Sequence, residues 1–204
     1  TSTIMFGHVE TEEHQARHIA LIRDIQKATG GFTEFVPLSF VYWEAPMYKH
    51  GFVEGVRPGP TGVEVLQVHA VSRIMLNNWI PNLQVSWVKE GPRFAQVLLG
   101  AGVNDLGGTL INESISTAAG AGYGQLVKPW EFRSLIRGAG RLPAERSTTY
   151  RLLRVFQDPA QDPIDPLDAV DKGKAEDRFG SYSRLIKMDR FRYHHPRKAQ
   201  TAPH

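Results

Sequence analysis

Short strand-type runs alternate with helix-type segments along most of this chain, and this alternation restricts the possible folds more than any other feature. Four apolar runs are each followed by a segment whose apolar residues recur at helical spacing. Strands that alternate with helices are typical of a parallel sheet with helical crossovers. We therefore expect an α/β fold with strands within Thr1–Glu10, Thr33–Phe40, Pro81–Trp87 and Gly102–Leu106, and a last strand at Thr148–Val155.

The third run favours a barrel over an open sheet. Polar and apolar residues alternate strictly in NLQVSW, from Asn82 to Trp87. Strands of open doubly wound sheets are nearly continuous apolar runs, whereas a barrel that holds a polar ligand needs polar side chains facing its lumen. Because the chain begins inside a strand without Met or a leader, we expect residues 1–155 to be the carboxyl-terminal part of a (β/α) barrel of TIM type.

Residues 156–204 differ in composition from the rest of the chain. The segment Asp158–Asp177 is rich in Asp, Pro, Lys and Ala, with little to bury, and predicts a linker. The segment Arg184–Lys198 carries six Lys or Arg against one acid, interleaved with aromatic residues. Such a charged extension is typical of binding to RNA or an anionic surface, and the alternative is a disordered or loosely docked tail. We expect a linker and a basic, partly disordered tail.

Composition excludes several classes of site and partner. The chain contains no cysteine, which excludes disulfides, thiolate zinc sites and cysteine-ligated clusters built from its own residues. Lys and Arg (24) scarcely exceed Asp and Glu (21), so a nucleic-acid partner is not expected. No apolar run reaches the roughly 18 residues that span a bilayer. We expect a soluble, cytoplasmic protein with no membrane partner.

Polar residues follow the first strand, where chemistry occurs in parallel barrels. His8 and Glu10 are candidate ligand contacts, and the alternative for Glu10 is a carboxylate favoured by the start of a helix. His14 and His18 are one helical turn apart, a spacing that can chelate a metal when a third ligand converges. No HExxH pattern accompanies them, so no metal site is expected.

Further polar candidates lie on the second and fourth strands. Glu34 is an isolated carboxylate in an apolar run, and it must either face a polar cavity or pair with a neighbouring strand. Asn104 and Asp105 precede two glycines and Thr109, which indicates an active-site rim or, alternatively, a tight turn that needs positive φ. We expect four polar side chains to face one lumen: His8, Glu34, Gln84 and Asn104.

Four sequence blocks, in order, resemble one enzyme family. STIMFGHVET, GGFTEFVPLSF, LQVSWVKEG and GVNDLGGTLINESIS resemble the carboxyl-terminal half of the radical S-adenosylmethionine (SAM) enzymes that make the deazaflavin precursor FO, specifically the FO synthase subunit that joins tyrosine to a ribitylaminouracil. The resemblance covers about residues 1–150. The aminofutalosine synthase and the dehypoxanthine futalosine cyclase of menaquinone synthesis share similar blocks and are the alternative. A further alternative is a non-catalytic remnant that acts as an interaction module through its basic tail.

The resemblance implies SAM and a 4Fe-4S cluster as cofactors. A loose GxIxGxxE pattern of the family contacts the adenosine of SAM, and Thr3, Met5, Gly7 and Glu10 occupy its spacing, with Thr for the first Gly and Met for Ile. Met5, Gly7 and Glu10 are thus the implied cofactor contacts. The CxxxCxxC motif that holds the cluster is absent from this sequence, so its ligands are expected outside these 204 residues. The chain alone is therefore expected to bind no cluster and to be inactive.

The implied reaction transfers the 4-hydroxybenzyl group of L-tyrosine to 5-amino-6-(D-ribitylamino)uracil. SAM is cleaved reductively to a 5′-deoxyadenosyl radical, hydrogen is abstracted from tyrosine, and the uracil captures the resulting fragment. The protein orients the substrates and excludes water. A second FO synthase subunit or a fused domain is the implied partner. The resemblance and the polar lumen assign substrate contacts to Gln84, Ser86, Trp87, Asn104 and Thr109, and catalytic roles to Asp105 and Glu34, as proton acceptors, and to His8.

Overall fold

The computed structural model describes residues 1–111, 113–124, 126–171 and 187–191. Helices and strands alternate through most of this part of the chain, and the α/β prediction is confirmed. The strands are β1 (Ser2–Phe6), β2 (Phe35–Ser39), β3 (Ala144–Arg146) and β4 (Leu152–Val155). The helices are α1 (Glu12–Thr29), α2 (Pro46–Lys49), α3 (Gly62–Leu76), α4 (Trp87–Glu90), α5 (Pro92–Leu98), α6 (Ser114–Ala118) and α7 (Pro129–Gly138), with short 3-10 turns at Leu99–Ala101, Pro159–Gln161, Pro166–Ala169 and Asp189–Phe191.

Four parallel segments lie side by side in chain order. β1 pairs with β2 in parallel, from Ser2 opposite Phe35 to Phe6 opposite Ser39. Single parallel bridges then join Phe35 to Leu83 and Gln84 to Asp105. The third and fourth predicted strands are therefore present only as short bridged segments, because the chain already enters α4 at residue 87. This order agrees with a series of β/α units.

Side-chain caps set the starts of the two long helices. Thr11 accepts a hydrogen bond from the backbone N–H of His14 at the start of α1, and the helix ends at Gly30 in the left-handed conformation. Thr61 and Glu64 form a capping box at the start of α3. Both helices therefore begin where the sequence supplies an oxygen for the unpaired amide groups of the first turn.

The core lies between the helices and one face of the parallel sheet. Alternate residues of β1, including Ile4 and Phe6, pack with Ile19 of α1 and Val65 of α3. The apolar residues of the run from 82 to 87 join the same core, whereas its polar residues are partly exposed. The predicted division of this run into a helix-facing side and a polar side is confirmed. We call the side of the sheet away from the helices the lumen face.

The predicted last strand is not a fifth parallel strand. β4 pairs with β3 antiparallel, with Ala144 opposite Val155, and the two strands form a separate sheet. The connection at 147–151 is only a few residues long, whereas a parallel crossover needs a dozen or more. Tyr150 in this connection has φ 62°, the one positive φ at a non-glycine residue within the described ranges. We call residues 144–155 the hairpin.

Residues 156–171 lie against α7 rather than away from it, contrary to the expectation that this segment has little to bury. Asp162 contacts Arg133 and Arg137 of α7, and Phe156 and Val170 are buried. The predicted basic tail falls mostly outside the described residues. In the part of the chain that the structure describes, every helix is too short or too polar to traverse a bilayer.

Candidate functional site

A polar cavity of about 470 Å³ opens on the lumen face. Thr1 and Glu34, which precede β1 and β2, border it together with the third segment, the turn after the fourth segment and the hairpin. We call this space the lumen cavity. Six of its polar or turn-forming lining residues are Glu34, Gln84, Ser86, Gly107, Arg146 and Thr148. Three predicted substrate contacts, Gln84, Ser86 and Trp87, therefore share one cavity with the predicted catalytic residue Glu34.

Glu34 immediately precedes β2 and is held by hydroxyl groups on both oxygens. Thr1 donates to Oε1 at 2.5 Å, and the Tyr150 hydroxyl donates to Oε2. Burial opposes ionisation of Glu34, but these hydrogen bonds and the charge of Arg146 outweigh it and lower the pKa of the carboxyl. Burial and the bond to Glu34 also raise the pKa of the Tyr150 phenol. Of the two alternatives for Glu34, the structure supports the polar cavity.

Asp105 faces the same side, next to Gln84 in the parallel ladder. Its Oδ2 accepts from Arg146 Nε at 2.5 Å, and its Oδ1 accepts from the Gly107 N–H at 2.6 Å. The guanidinium carbon of Arg146 also lies 4.0 Å from the centroid of the Tyr150 ring. Arg146 and Tyr150 were not among the sequence candidates: Arg146 precedes the predicted last strand, and no local pattern distinguishes Tyr150 within it.

Asn104 does not face the lumen, and the prediction that four side chains converge there is wrong. Its Oδ1 accepts from Arg73 and from the Leu83 N–H, both at 2.8 Å, and its amide donates to the Pro81 carbonyl at 3.2 Å. Successive residues of a strand point to opposite faces, so Asn104 and Asp105 cannot both enter the lumen. Asn104 instead ties the fourth segment to α3 and the third segment.

His8 lies beyond the carboxyl end of β1, and among the described residues it does not line the lumen cavity. Its ring meets Phe40 edge-on with centroids 5.8 Å apart, and Nδ1 lies 3.2 Å from Glu10 Oε2. The Arg57 N–H donates to its carbonyl. His8 therefore lies on the rim at the carboxyl end of the sheet, whereas Thr1 and Glu34 of the cavity precede β1 and β2. Glu34 and Gln84 are the two of the four side chains that line the cavity.

Two of the three predicted cofactor contacts, Gly7 and Glu10, lie in the turn after β1, and Met5 lies within β1. Glu10 accepts from the Gly7 N–H at 2.5 Å, the His8 N–H at 3.0 Å and Gln15 Nε2 at 2.8 Å. Burial raises the pKa of Glu10, but these hydrogen bonds outweigh burial and lower it. Met5 is half exposed, on the lumen face.

Gly7 has a structural reason to be glycine that the sequence did not show. Its φ is +89°, and a Cβ there would lie 2.3 Å from Pro60 Cδ. Pro60 therefore fills the space that a side chain at residue 7 would need.

Trp87 and Thr109 border the site in different ways. Trp87 is only 2% exposed, and its Nε1 donates to the Gly108 carbonyl at 3.0 Å, so it packs in the core and holds the glycine turn beside the lumen cavity. Thr109 lines a neighbouring cavity of about 1010 Å³ together with Asn104 and Asp105.

The sequence did not single out two partly buried ionisable residues at the end of α4, Lys89 and Glu90. Ser39 Oγ donates to Glu90 Oε1 at 2.5 Å, and burial raises the pKa of Glu90. Lys89 Nζ donates to Ser116 Oγ at 3.1 Å, and burial lowers its pKa. Their place directly after a strand-end block was the signal that could have identified them.

No cluster of three or more His, Cys, Asp or Glu suited to a metal occurs within the described ranges. His14 Nδ1 lies 3.2 Å from Thr11 Oγ1 and from the Thr11 N–H nitrogen. His18 Nε2 lies 2.9 Å from the Thr3 carbonyl oxygen. Both histidines are thus engaged by the start of α1 and by β1.

Most of the chain matches one known protein family. The profile of the CofH/MqnC C-terminal region matches residues 29–158. The chain belongs to the CofH/MqnC family. The match contains β2, the hairpin and the described lining of the lumen cavity apart from Thr1, whereas the turn after β1 precedes it.

Curated relatives of this CofH/MqnC chain carry one name, 5-amino-6-(D-ribitylamino)uracil–L-tyrosine 4-hydroxyphenyl transferase. The protein of Methanothermobacter thermautotrophicus is 49% identical over 74% of this chain and 40% of its own length. That of Methanocaldococcus jannaschii is 49% identical over 75% and 42%, and one from Methanosarcina mazei is 52% identical over 74% and 40%. The chain thus spans about two fifths of these relatives. Their names confirm the predicted resemblance to FO synthesis and do not favour the menaquinone alternative.

Proposed function

We propose that this chain is the substrate-binding, carboxyl-terminal part of a radical SAM transferase. The enzyme would join the 4-hydroxybenzyl group of L-tyrosine to 5-amino-6-(D-ribitylamino)uracil. The observation that carries the proposal is the shared name of relatives that are 49–52% identical. The second support is the lumen cavity, which Gln84 and Ser86, two of the proposed substrate contacts, line with polar side chains.

The complete fold is proposed to be a (β/α) barrel. Four parallel segments follow one another in chain order, their helices cover one face, and polar side chains occupy the other. This arrangement is what part of a barrel wall requires. Units from outside these residues would close the barrel around the lumen face.

The lumen cavity is the proposed site for the ribityl chain and the uracil. Gln84 offers an amide, and Ser86 and Thr148 offer hydroxyl groups along the same wall. Polyols and uracil are bound by such convergent donors and acceptors. Trp87 forms an apolar part of the wall, and Thr109 extends the polar surface toward the neighbouring cavity.

Met5 and the turn at Gly7–Glu10 are the proposed contacts for SAM. The half-exposed Met5 side chain suits apolar contact with an adenine ring, and Glu10 holds the backbone of the turn in shape. No residue of this chain can act as a cysteine ligand of a 4Fe-4S cluster, so the proposed cluster has its ligands elsewhere. When bound, SAM and the cluster supply the radical chemistry.

Three residues are proposed to take part in proton transfer during the reaction. Glu34 and Asp105 are the carboxylates of the lumen face, and His8 lies at the rim beside Glu10. The hydrogen bonds that lower the pKa of Glu34 keep it ionised at neutral pH, as a proton acceptor must be before it acts. A second FO synthase subunit or fused domain is the proposed partner, and the cytoplasm is the proposed compartment.

A chimera tests the proposal. The part of the Methanothermobacter thermautotrophicus relative that precedes the matched region would be joined in cis to this chain and reconstituted anaerobically with iron and sulfide. With a reductant, SAM, L-tyrosine and the ribitylaminouracil, mass spectrometry should detect 5′-deoxyadenosine and the tyrosine-derived adduct. The chain alone, treated identically, should give neither product and no cluster absorption. Formation of 5′-deoxyadenosine by the chimera without the adduct would refute the substrate assignment.

A further inference from the structure

We propose that Arg146 of the hairpin is a positioning residue that fixes Asp105, and through Asp105 the turn at Gly107, against the side chain of Gln84. The arrangement is independent of which ligand binds. Its importance for catalysis rests on the proposed function, in which Gln84 contacts the substrate.

Arg146 reaches three different acceptors with its three nitrogens. Nε donates to Asp105 Oδ2 at 2.5 Å, Nη1 to the Ser147 carbonyl at 3.1 Å and Nη2 to Gln84 Oε1 at 3.4 Å. Its guanidinium also covers the ring of Tyr150. The planar fork of an arginine is thereby held in one orientation, which fixes the two acceptors on the lumen face relative to each other.

Asp105 transmits this restraint to the following turn. Its second oxygen, Oδ1, accepts from the Gly107 N–H at 2.6 Å, an interaction of the kind that shapes turns two residues after an Asp. Gly107 has φ +77°, and a Cβ there would lie 3.1 Å from Gln84 Nε2. Gln84 is therefore confined between the guanidinium on one side and the glycine turn on the other.

The turn of the hairpin has a strained backbone at Tyr150. Tyr150 has φ 62°, a conformation that costs a non-glycine residue free energy and persists where the surroundings impose it. Its N–H donates to the Ser147 carbonyl, and its hydroxyl reaches Glu34. The strained turn thus places Arg146 and Tyr150 on the lumen face together. Arg146 contacts Gln84 of the third segment and Asp105 of the fourth. Tyr150 contacts Glu34, the residue before β2.

Amide hydrogen exchange on the chain, without substrate or cofactor, tests the inference. In Arg146→Gln the Gly107 amide should exchange about tenfold faster or more, because Asp105 loses its charged partner and the turn opens. Arg146→Lys keeps one charged contact and should give a smaller increase. The matched control is Arg151→Gln, at an exposed position of the same hairpin, which should leave the Gly107 amide unchanged.

The core amide of Val68 on α3 separates positioning from general destabilisation. It should keep the wild-type exchange rate in Arg146→Gln. An unchanged Gly107 amide, or an equal acceleration at Gly107 and Val68, would overturn the inference. If Arg146→Gln does not fold, the same two outcomes in Arg146→Lys decide. Because no ligand is used, this result is separate from that of the chimera.

Discussion

His69 makes the stability of this protein dependent on pH in the mildly acidic range. The side chain is fully buried on α3, Nδ1 lies 2.8 Å from the Val65 carbonyl oxygen, and Nε2 has no partner among the described residues. Burial lowers the pKa of His69 from 6.5 to about 4, and the contact with Val65 opposes this only in part. The imidazole is therefore neutral in the folded chain at neutral pH.

The direction and size of the effect follow from linkage. In the unfolded chain His69 binds a proton near pH 6.5, whereas in the folded chain it does so only near pH 4. Stability is thus complete above about pH 6.5 and falls as the pH decreases toward 4. The full pKa difference corresponds to about 3 kcal/mol, of which about 2 kcal/mol is lost by about pH 4.5.

Urea unfolding at about pH 7.5 and about pH 4.5, followed by tryptophan fluorescence, measures this loss. Substitution His69→Leu removes the titrating group, so the variant should lose about 2 kcal/mol less than the wild type between the two conditions. The control His50→Gln changes an exposed histidine and should behave as the wild type. Glu64, whose pKa is lowered to about 2, loses most of its contribution to the free energy of unfolding at a lower pH than His69 does. An equal loss in His69→Leu and the wild type would refute the reasoning.

Two further substitutions test the packing around the site. Asp162→Asn removes the negative charge 3.0 Å from Nε of Arg133, whose side chain is only 9% exposed, and should lower the melting temperature by a few degrees. Gly7→Ala combines a positive φ with a collision against Pro60 and should destabilise the chain by more than about 1 kcal/mol in urea unfolding. Gly30→Ala, which also has a positive φ but open space around it, should cost clearly less.

For each of these two predictions, a control variant defines the result that would contradict it. For the first, Asp24→Asn is the control, because Asp24 also has two cationic neighbours but is exposed, where ion pairs contribute little. Equal melting temperatures of the two variants would show that segment 156–171 adds nothing through Asp162. For the second, equal effects at Gly7 and Gly30 would show that contact with Pro60 is unimportant.

Local sequence patterns predicted those elements of the fold that bury only one of their faces. In the run from 82 to 87, the three apolar residues are at most 2% exposed, because a strand with one buried face must alternate. The orientation of α3 could not be predicted in the same way. Val63, Leu66 and Ile74 are apolar residues at helical spacing in α3, yet they are 67%, 40% and 79% exposed. Because α3 carries apolar residues on its exposed side as well as its buried side, their spacing cannot identify the side that packs against the core.

The candidate site was predictable only in part for a different reason. Gln84 and Ser86 follow from local alternation, but the partners of the carboxylates come from distant parts of the chain. Arg146 is 41 residues from Asp105, and Tyr150 is 116 residues from Glu34. No spacing rule within one element relates residues so far apart. The sequence predicted a strand only at Thr148–Val155, so neither β3, which carries Arg146, nor its antiparallel pairing with β4 was expected.

The antiparallel turn of the hairpin and the burial of Asp105 are two parts of one physical requirement. The Asp105 side chain is 7% exposed, and a carboxylate so far from water is costly without a cation. A fifth parallel strand would align its backbone with the fourth segment, whereas the short hairpin lets a side chain approach the lumen face directly. A buried lumen carboxylate in this sequence therefore implies that some cation must reach it, although only the folded chain identifies that cation as Arg146.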